Sequence, residues 1–237
     1  MPSKFLTAEW KNLVMANYIV DAAVLKPYLP YKTEIDLFNG KAYVSLVGFM
    51  FMNTRLFGFK IPFHVNFEEV NLRFYVQHND NGEWKRGTVF IKEIVPKSAI
   101  SFIANTVYHE KYCTKKMKHS IAEIKNEMTL NYQWRHQNKW NTMEAVIEKP
   151  AQSMVLGSEE EFIAEHYWGY SKYNDTTTYE YHVQHPVWKI FPVKSYSIDC
   201  DFTSLYGAEF SELMNAKPNS VFVAEGSEVA VLKKRNL

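Results

Sequence analysis

The stretch His64-Val65-Asn66-Phe67-Glu68-Glu69-Val70-Asn71-Leu72-Arg73 contains the residues best able to do chemistry. Side chains of an extended strand alternate between its two faces. Glu69, Asn71, Arg73 and Tyr75 therefore share one face, and Val70, Leu72, Phe74 and Val76 the other. The polar face is a ladder of acceptor, amide and guanidinium. On a solvated sheet that is an ordinary exposed surface. Inside a closed sheet it is a binding surface, because buried charges must find partners. Alternation alone leaves the inward side open. The expectation taken forward is that Glu69, Asn71 and Arg73 point inward. On that reading Glu69 and Arg73 pair, and Arg73→Ala would cost about 3–5 kcal/mol by stranding a charge.

A second polar cluster is His166-Tyr167-Trp168-Gly169-Tyr170, with Tyr179, Tyr181, His182, His185 and Trp188 beyond it. Rings with polar tips suit either a ligand pocket or a satisfied aromatic corner. His182 and His185 are three apart, which on a strand sends them to opposite faces and argues against a shared metal. Lys111, Lys115, Lys116 and Lys118 form a basic run that reads as a solvated face. The sequence has no Gly-rich phosphate loop, no His-Glu-x-x-His and no Gly-x-Ser-x-Gly.

The elements that must position these residues are mostly strands. The pattern predicts strands at Leu13 to Val20, Ala42 to Met52, Glu69 to Val76 and Gly87 to Val95. Asn79-Asp80-Asn81-Gly82 turns the last two into a hairpin. Further strands are predicted over Ile121 to Trp134, Thr142 to Ile147, Thr176 to Val183, Val193 to Phe202 and Val221 to Leu232. Short helices are predicted at Ala22 to Leu29 behind an Asp21 cap, at Ser98 to Tyr108 capped by Ser98, from the Ser158-Glu161 capping box to about Trp168, and over Phe202 to Leu213. Many strands with a few short helices argue a mainly β (β-rich α+β) fold. No repeat or linker divides the chain, so residues 1–237 are expected to form a single domain.

Composition narrows the function classes. The chain has 27 basic and 26 acidic residues, which argues against a nucleic-acid partner. Two cysteines, Cys113 and Cys200, argue against a disulfide-stabilised secreted protein. The longest near-apolar stretch, Ala42 to Met52, is too short to span a bilayer, and Met1 to Leu13 has no signal pattern. Cytoplasmic residence without membrane contact is the expectation. Aromatic residues make up 16% of the chain, which fits a polar-dotted cavity as well as a large aromatic core.

Trp10-Lys11-Asn12-Leu13, Tyr43 to Phe49, Phe67 to Arg73, His166 to Tyr170 and Ala224-Glu225-Gly226-Ser227 together resemble the YqjF-like family of uncharacterised bacterial proteins, over nearly the whole chain. Tyr18 to Asp21, Leu29-Pro30, Glu34 to Asp36 and Phe67-Glu68-Glu69 also resemble, more distantly, acetoacetate decarboxylase. That resemblance implies an antiparallel β-barrel with an interior small-molecule cavity. It places Glu69 at an active-site glutamate and Lys11 near an active-site arginine. The enzyme's nucleophile is a Schiff-base lysine. The corresponding stretch here is Tyr108-His109-Glu110-Lys111-Tyr112-Cys113, with Tyr112 at the nucleophile's place. Lys111 is one residue off, so it faces the opposite way on an extended chain. Lys115 and Lys116 lie three residues late.

The expected function is therefore a small-molecule-binding protein or a non-imine enzyme, with no cofactor and no metal. Its ligand, of unknown identity, would meet Lys11, Glu69, Asn71, Arg73, His109, Tyr112, His166 and Tyr167. Two alternatives stay open. One is a Schiff-base decarboxylase or aldolase-like enzyme using Lys111 or Lys115. The other is a structural or interaction protein whose barrel is filled by its own aromatic side chains. A homo-oligomer is compatible with any of the three.

Overall fold

The computed structural model describes residues 4–237. In chain order the strands are β1 (Lys4–Val20), β2 (Glu34–Ile35), β3 (Ala42–Leu56), β4 (Phe67–Asp80), β5 (Glu83–Val95), β6 (Tyr112–Thr114), β7 (Met117–Ile124), β8 (Glu127–His136), β9 (Lys139–Glu148), β10 (Gln152–Ser153), β11 (Trp168–Asn174), β12 (Thr177–Gln184), β13 (Lys189–Phe191), β14 (Val193–Asp199), β15 (Ser220–Leu232) and β16 (Arg235–Asn236). The α-helices are α1 (Ala22–Leu25), α2 (Ser98–Tyr108), α3 (Glu159–Ala164) and α4 (Phe202–Tyr206). Strands hold 59% of the residues and helices 15%, so the mainly β class expected from the sequence holds. No helix among the described residues is long and apolar enough to cross a membrane.

The larger sheet curls until it meets itself. Its path runs β15-β1-β3-β4-β5-β11-β12, and β12 pairs back onto β15 through Val183 with Val231 and Gln184 with Ala230. Closure removes the free edges of these strands. A second sheet, β14-β9-β8-β7, lies against the outside of the first.

This second layer decides which way β4 faces. Val70, Leu72, Phe74 and Val76 join Met128, Leu130, Tyr132, Trp134, Met143 and Ala145 in one core between the sheets. The apolar face of β4 thus looks outward, under a covering sheet, and Glu69, Asn71 and Arg73 look into the barrel. Close packing shows at Gly48 on β3, where a Cβ would lie 2.9 Å from the Tyr132 ring. The interior holds a separate cluster that includes Leu13, Phe49, Phe51, Phe67, Tyr75 and Trp188.

Several local expectations need correction. Ser98 does not cap α2: it already lies inside the helix, and Lys97 is the cap, with no side-chain bond. The Ser158 hydroxyl does cap α3, accepting from Glu161 N at 3.2 Å, but the helix stops at Ala164 rather than near Trp168. Trp168 and Gly169 instead pair with β12 and β5, and glycine is a poor helix former. The stretch Ile121 to Trp134 is a hairpin of β7 and β8, turned at Lys125 with φ 55°. The helical spacings at 22–29 and 202–213 each resolve into one short α-helix followed by a 3-10 turn.

Candidate functional site

The barrel interior contains a cavity of about 120 Å³. That is close to the roughly 150 Å³ cavities that take up benzene, and well under the roughly 300–1,000 Å³ of drug-sized sites. Trp10, Phe49, Phe51, Phe67, Trp168 and Trp188 supply much of the apolar wall. Glu69, Asn71, Arg73, Glu93, Glu110, Tyr112, Tyr181, His166 and His185 supply the polar groups.

Backbone irregularities aim several of these side chains. In β1 the register slips between Lys11 and Val14, and Asn12 adopts φ 56°. The slip lets Trp10 and Leu13, three apart, both line the cavity. Gly226 on β15 faces this slip: with φ 81°, a Cβ there would lie 2.0 Å from the Trp10 carbonyl oxygen. In β5 the register against β4 slips where Leu72 and Arg73 meet Lys92 and Phe90. Thr88 and Phe90 face inward before the slip and Glu93 after it. At the end of α2, His109 takes φ 56°, a left-handed conformation that sends Glu110 into the barrel.

Tyr112 is held at its backbone. Asn105 of α2 donates to Tyr112 O at 2.9 Å and accepts from Tyr112 N at 2.8 Å. The Tyr112 hydroxyl donates to Glu69 Oε2 at 2.9 Å, and Asn71 Nδ2 donates to Glu69 Oε1 at 2.9 Å. The Tyr181 hydroxyl donates to Glu110 Oε1 at 2.6 Å. Tyr181 can lie flat across β11 because its pairing neighbour is Gly169, where a Cβ would sit 2.1 Å from the ring. Three carboxyls thus meet at one end of the cavity. Burial pushes Glu69 up to about 7, against the bonds from Asn71 and Tyr112 and the charge of Arg73. Burial likewise raises Glu110 to about 8, and Glu93 well above the usual carboxylate range, with Glu110 and Glu69 adding to the rise. Burial and the same carboxyls keep the Tyr112 hydroxyl protonated.

Arg73 marks the other end. Four residues along a strand separate it from Glu69, about 13 Å between Cα atoms at about 3.3 Å per residue. Its guanidinium lies over the Tyr75 ring at 5.7 Å, and among the described residues its one side-chain hydrogen bond is to Met15 Sδ at 3.9 Å. Among the described residues Nε has no partner, and no carboxylate oxygen comes within 4.0 Å. The sequence-based pairing of Glu69 with Arg73 is therefore corrected: the two side chains do not meet within 4.0 Å, Glu69 turning to Asn71 and Tyr112 and Arg73 to Met15 and the Tyr75 ring. His166 stands nearby, its Nε2 3.1 Å from Asp36 Oδ2 and its Nδ1 without a partner. Burial, with the charges of Arg86 and Arg73, pushes His166 down to about 4, against its bond to Asp36. His185 is also pushed down to about 4 by burial, with Arg73 contributing.

Of the residues singled out in the sequence, Glu69, Asn71, Arg73, Tyr112 and His166 come together at the cavity. Lys11, His109 and Tyr167 do not. Lys11 lies on the outside, 3.9 Å from Glu9, because the β1 slip turns Trp10 inward instead. His109 is exposed, edge-on to Tyr173, because its left-handed backbone turns Tyr108 and Glu110 inward. Tyr167 bonds Glu165 and stacks on His185 at 4.6 Å behind the wall. Sequence reasoning missed Glu93 and Glu110, and named Tyr181 only as part of the aromatic cluster and not among the ligand-binding residues. Glu93 had a signal: it is a lone acid in the run Val89-Phe90-Ile91-Lys92-Glu93-Ile94-Val95. No lysine is among the described residues that line the cavity. Lys111 is exposed and lies over the Tyr28 ring at 5.0 Å; Lys115 is half-buried away from the cavity.

Residues 7–228 match the DUF2071 family, described as an uncharacterized conserved protein. The uncharacterized protein YqjF of Bacillus subtilis (strain 168) is 26% identical over 181 residues, covering 75% of this chain and 72% of that protein. Acetoacetate decarboxylase from Legionella pneumophila superposes with a TM-score of 0.65 at 12% identity, over 100% of this chain and 87% of that one. The enduracididine biosynthesis enzyme MppR, solved with pyruvate, superposes with a TM-score of 0.66 at 11% identity, over 100% and 91%. At such identities the likeness to the two solved structures is one of fold.

Proposed function

For a chain that belongs to the DUF2071 family of uncharacterized conserved proteins, we propose that the barrel interior binds a small organic carboxylate on Arg73 and forms no imine with it. The observation that carries this reading is a buried guanidinium that, among the described residues, has no oxygen to accept from it. Leaving a buried charge unpaired costs several kcal/mol. Guanidinium matches a carboxylate in charge and in its paired donors. The aromatic wall suits a short carbon skeleton, and the cavity's size limits it to a few non-hydrogen atoms.

Two observations support the absence of imine chemistry. The side chain that enters from β6 is Tyr112, and a phenol cannot condense with a carbonyl. Lys111, its neighbour, points the other way. The cavity also weighs against a barrel packed solid with its own side chains. The test is calorimetric titration of the protein with short carboxylates and with their uncharged amides. Binding of the acid over the amide by at least about tenfold, lost in Arg73→Met, supports the reading. Equal binding of acid and amide, or equal binding by Arg73→Met, overturns it.

A further inference from the structure

Resting on that reading, we infer that the ligand carries a protonated amine at its far end, so that the cavity receives a short amino acid with its carboxylate on Arg73 and its ammonium among Glu69, Glu93 and Glu110. The two ends of the cavity are unsatisfied in opposite senses. At one end Arg73 has no anionic partner within 4.0 Å among the described residues. At the other, three carboxyls converge and receive, among the described residues, only neutral donors: Asn71 and Tyr112 to Glu69, Tyr112 also toward Glu93, and Tyr181 to Glu110. Glu93, 2% exposed and lining the cavity, keeps Oε2 without any partner. No lysine, arginine or histidine nitrogen of the described residues lies within 4.0 Å of these carboxyls. Arg73 acts on Glu69, and Lys111 on Glu110, only across longer distances.

A neutral hydroxyl or carbonyl group could bond one protonated glutamic acid. It has no use for three. An ammonium has three donors and a charge, and both match a ring of carboxyls. Its arrival also reverses the effect of burial: an adjacent cation favours the ionised carboxylate. Ammonium binding should therefore release protons from the cluster and strengthen as pH rises from about 6 to about 8, a window set by Glu69 near 7 and Glu110 near 8. A carbonyl ligand needs the protonated acids as donors, and its binding should weaken over the same window; a neutral hydroxyl bonds either form and brings no charge that would favour ionisation. Tyr112, Tyr181 and Tyr108 also face the cluster, but all three are raised and stay protonated there.

The experiment titrates the whole chain with glycine, β-alanine, 4-aminobutyrate and 5-aminopentanoate, and with the same acids lacking the amine, at about pH 6 and about pH 8. The expected result is that at least one amino acid binds about tenfold or more tighter than its amine-free counterpart and gains affinity at the higher pH. Glu93→Gln should then lose that preference while still binding the plain acid. If the amine-free acids bind as well or better, and lose binding in Arg73→Met, the inference fails and the carboxylate reading survives. If neither series binds the unaltered protein, both fail. The ligand comparison is made on the unaltered chain, so it does not depend on any variant folding.

Discussion

Replacing Glu69 by Gln should change how stability depends on pH, and the size of the change follows from its surroundings. Glu69 is 2% exposed, and its carboxyl is pushed from 4.5 up to about 7, chiefly by burial. A carboxyl whose folded value is raised contributes stability that is fully present below its unfolded value. That contribution is lost as pH rises through the folded value. From 4.5 to about 7, at about 1.4 kcal/mol per unit, the loss is about 3 kcal/mol. Glutamine does not titrate. It keeps the shape and can bond as the neutral acid does, its oxygen accepting from Asn71 and its N–H donating to the Tyr112 oxygen. His166 and His185 titrate in both proteins, so their contribution cancels in the difference. Urea unfolding should find Glu69→Gln close in stability to the unaltered protein at about pH 5. At about pH 8.5 it should be the more stable of the two, by up to about 3 kcal/mol. The three carboxyls titrate as a set, and the variant removes one member of it. A difference between the two proteins that is the same within about 0.5 kcal/mol at both pH values would refute the buried, neutral-acid description of the site.

Three further outcomes follow from the same geometry. Arg73→Met, measured without ligand, should leave stability unchanged or raise it, because no carboxylate is stranded and an uncompensated charge is removed; a loss of about 3–5 kcal/mol on urea unfolding would mean a partner exists. Tyr112→Lys should put an amine in the cavity beside Glu69 and Glu93, so that incubation with pyruvate followed by borohydride gives a trapped adduct by intact mass, whereas the unaltered protein gives none; a stoichiometric adduct on Lys111 or Lys115 of the unaltered protein would reinstate imine chemistry. Gly169→Ala should cost about 1–3 kcal/mol by forcing the Tyr181 ring off β11, and a change within about 0.5 kcal/mol in thermal unfolding would show that the ring can shift freely.

The fold was largely legible because its strands announce themselves by alternation and its main hairpin by Asn79 to Gly82. The orientation of β4 was legible only as a pair of choices. Either face could have been inside, and the decision rests with β8 and β9, whose apolar faces cover Val70 to Val76 from outside. The site was half legible for a related reason. Glu69, Asn71 and Arg73 sit on a regular strand, where spacing gives direction. Glu93 and Glu110 follow a register slip and a left-handed residue, each of which reverses the direction that spacing predicts. The same effect misdirected Lys11, where the slip at Asn12 turns Trp10 inward, and His109, which is itself the left-handed residue.

The most direct test of the central claim is the position of a bound carboxylate. Crystals of the protein soaked with 3-bromopropionate, measured at the bromine absorption edge, would locate the halogen by its anomalous signal and the carboxylate by difference density. The expected result is a bromine peak within the aromatic wall and both carboxylate oxygens within hydrogen-bond distance of the Arg73 guanidinium, with neither present in Arg73→Met. Full occupancy of the cavity with the carboxylate turned away from Arg73, or the same density in Arg73→Met, would contradict it.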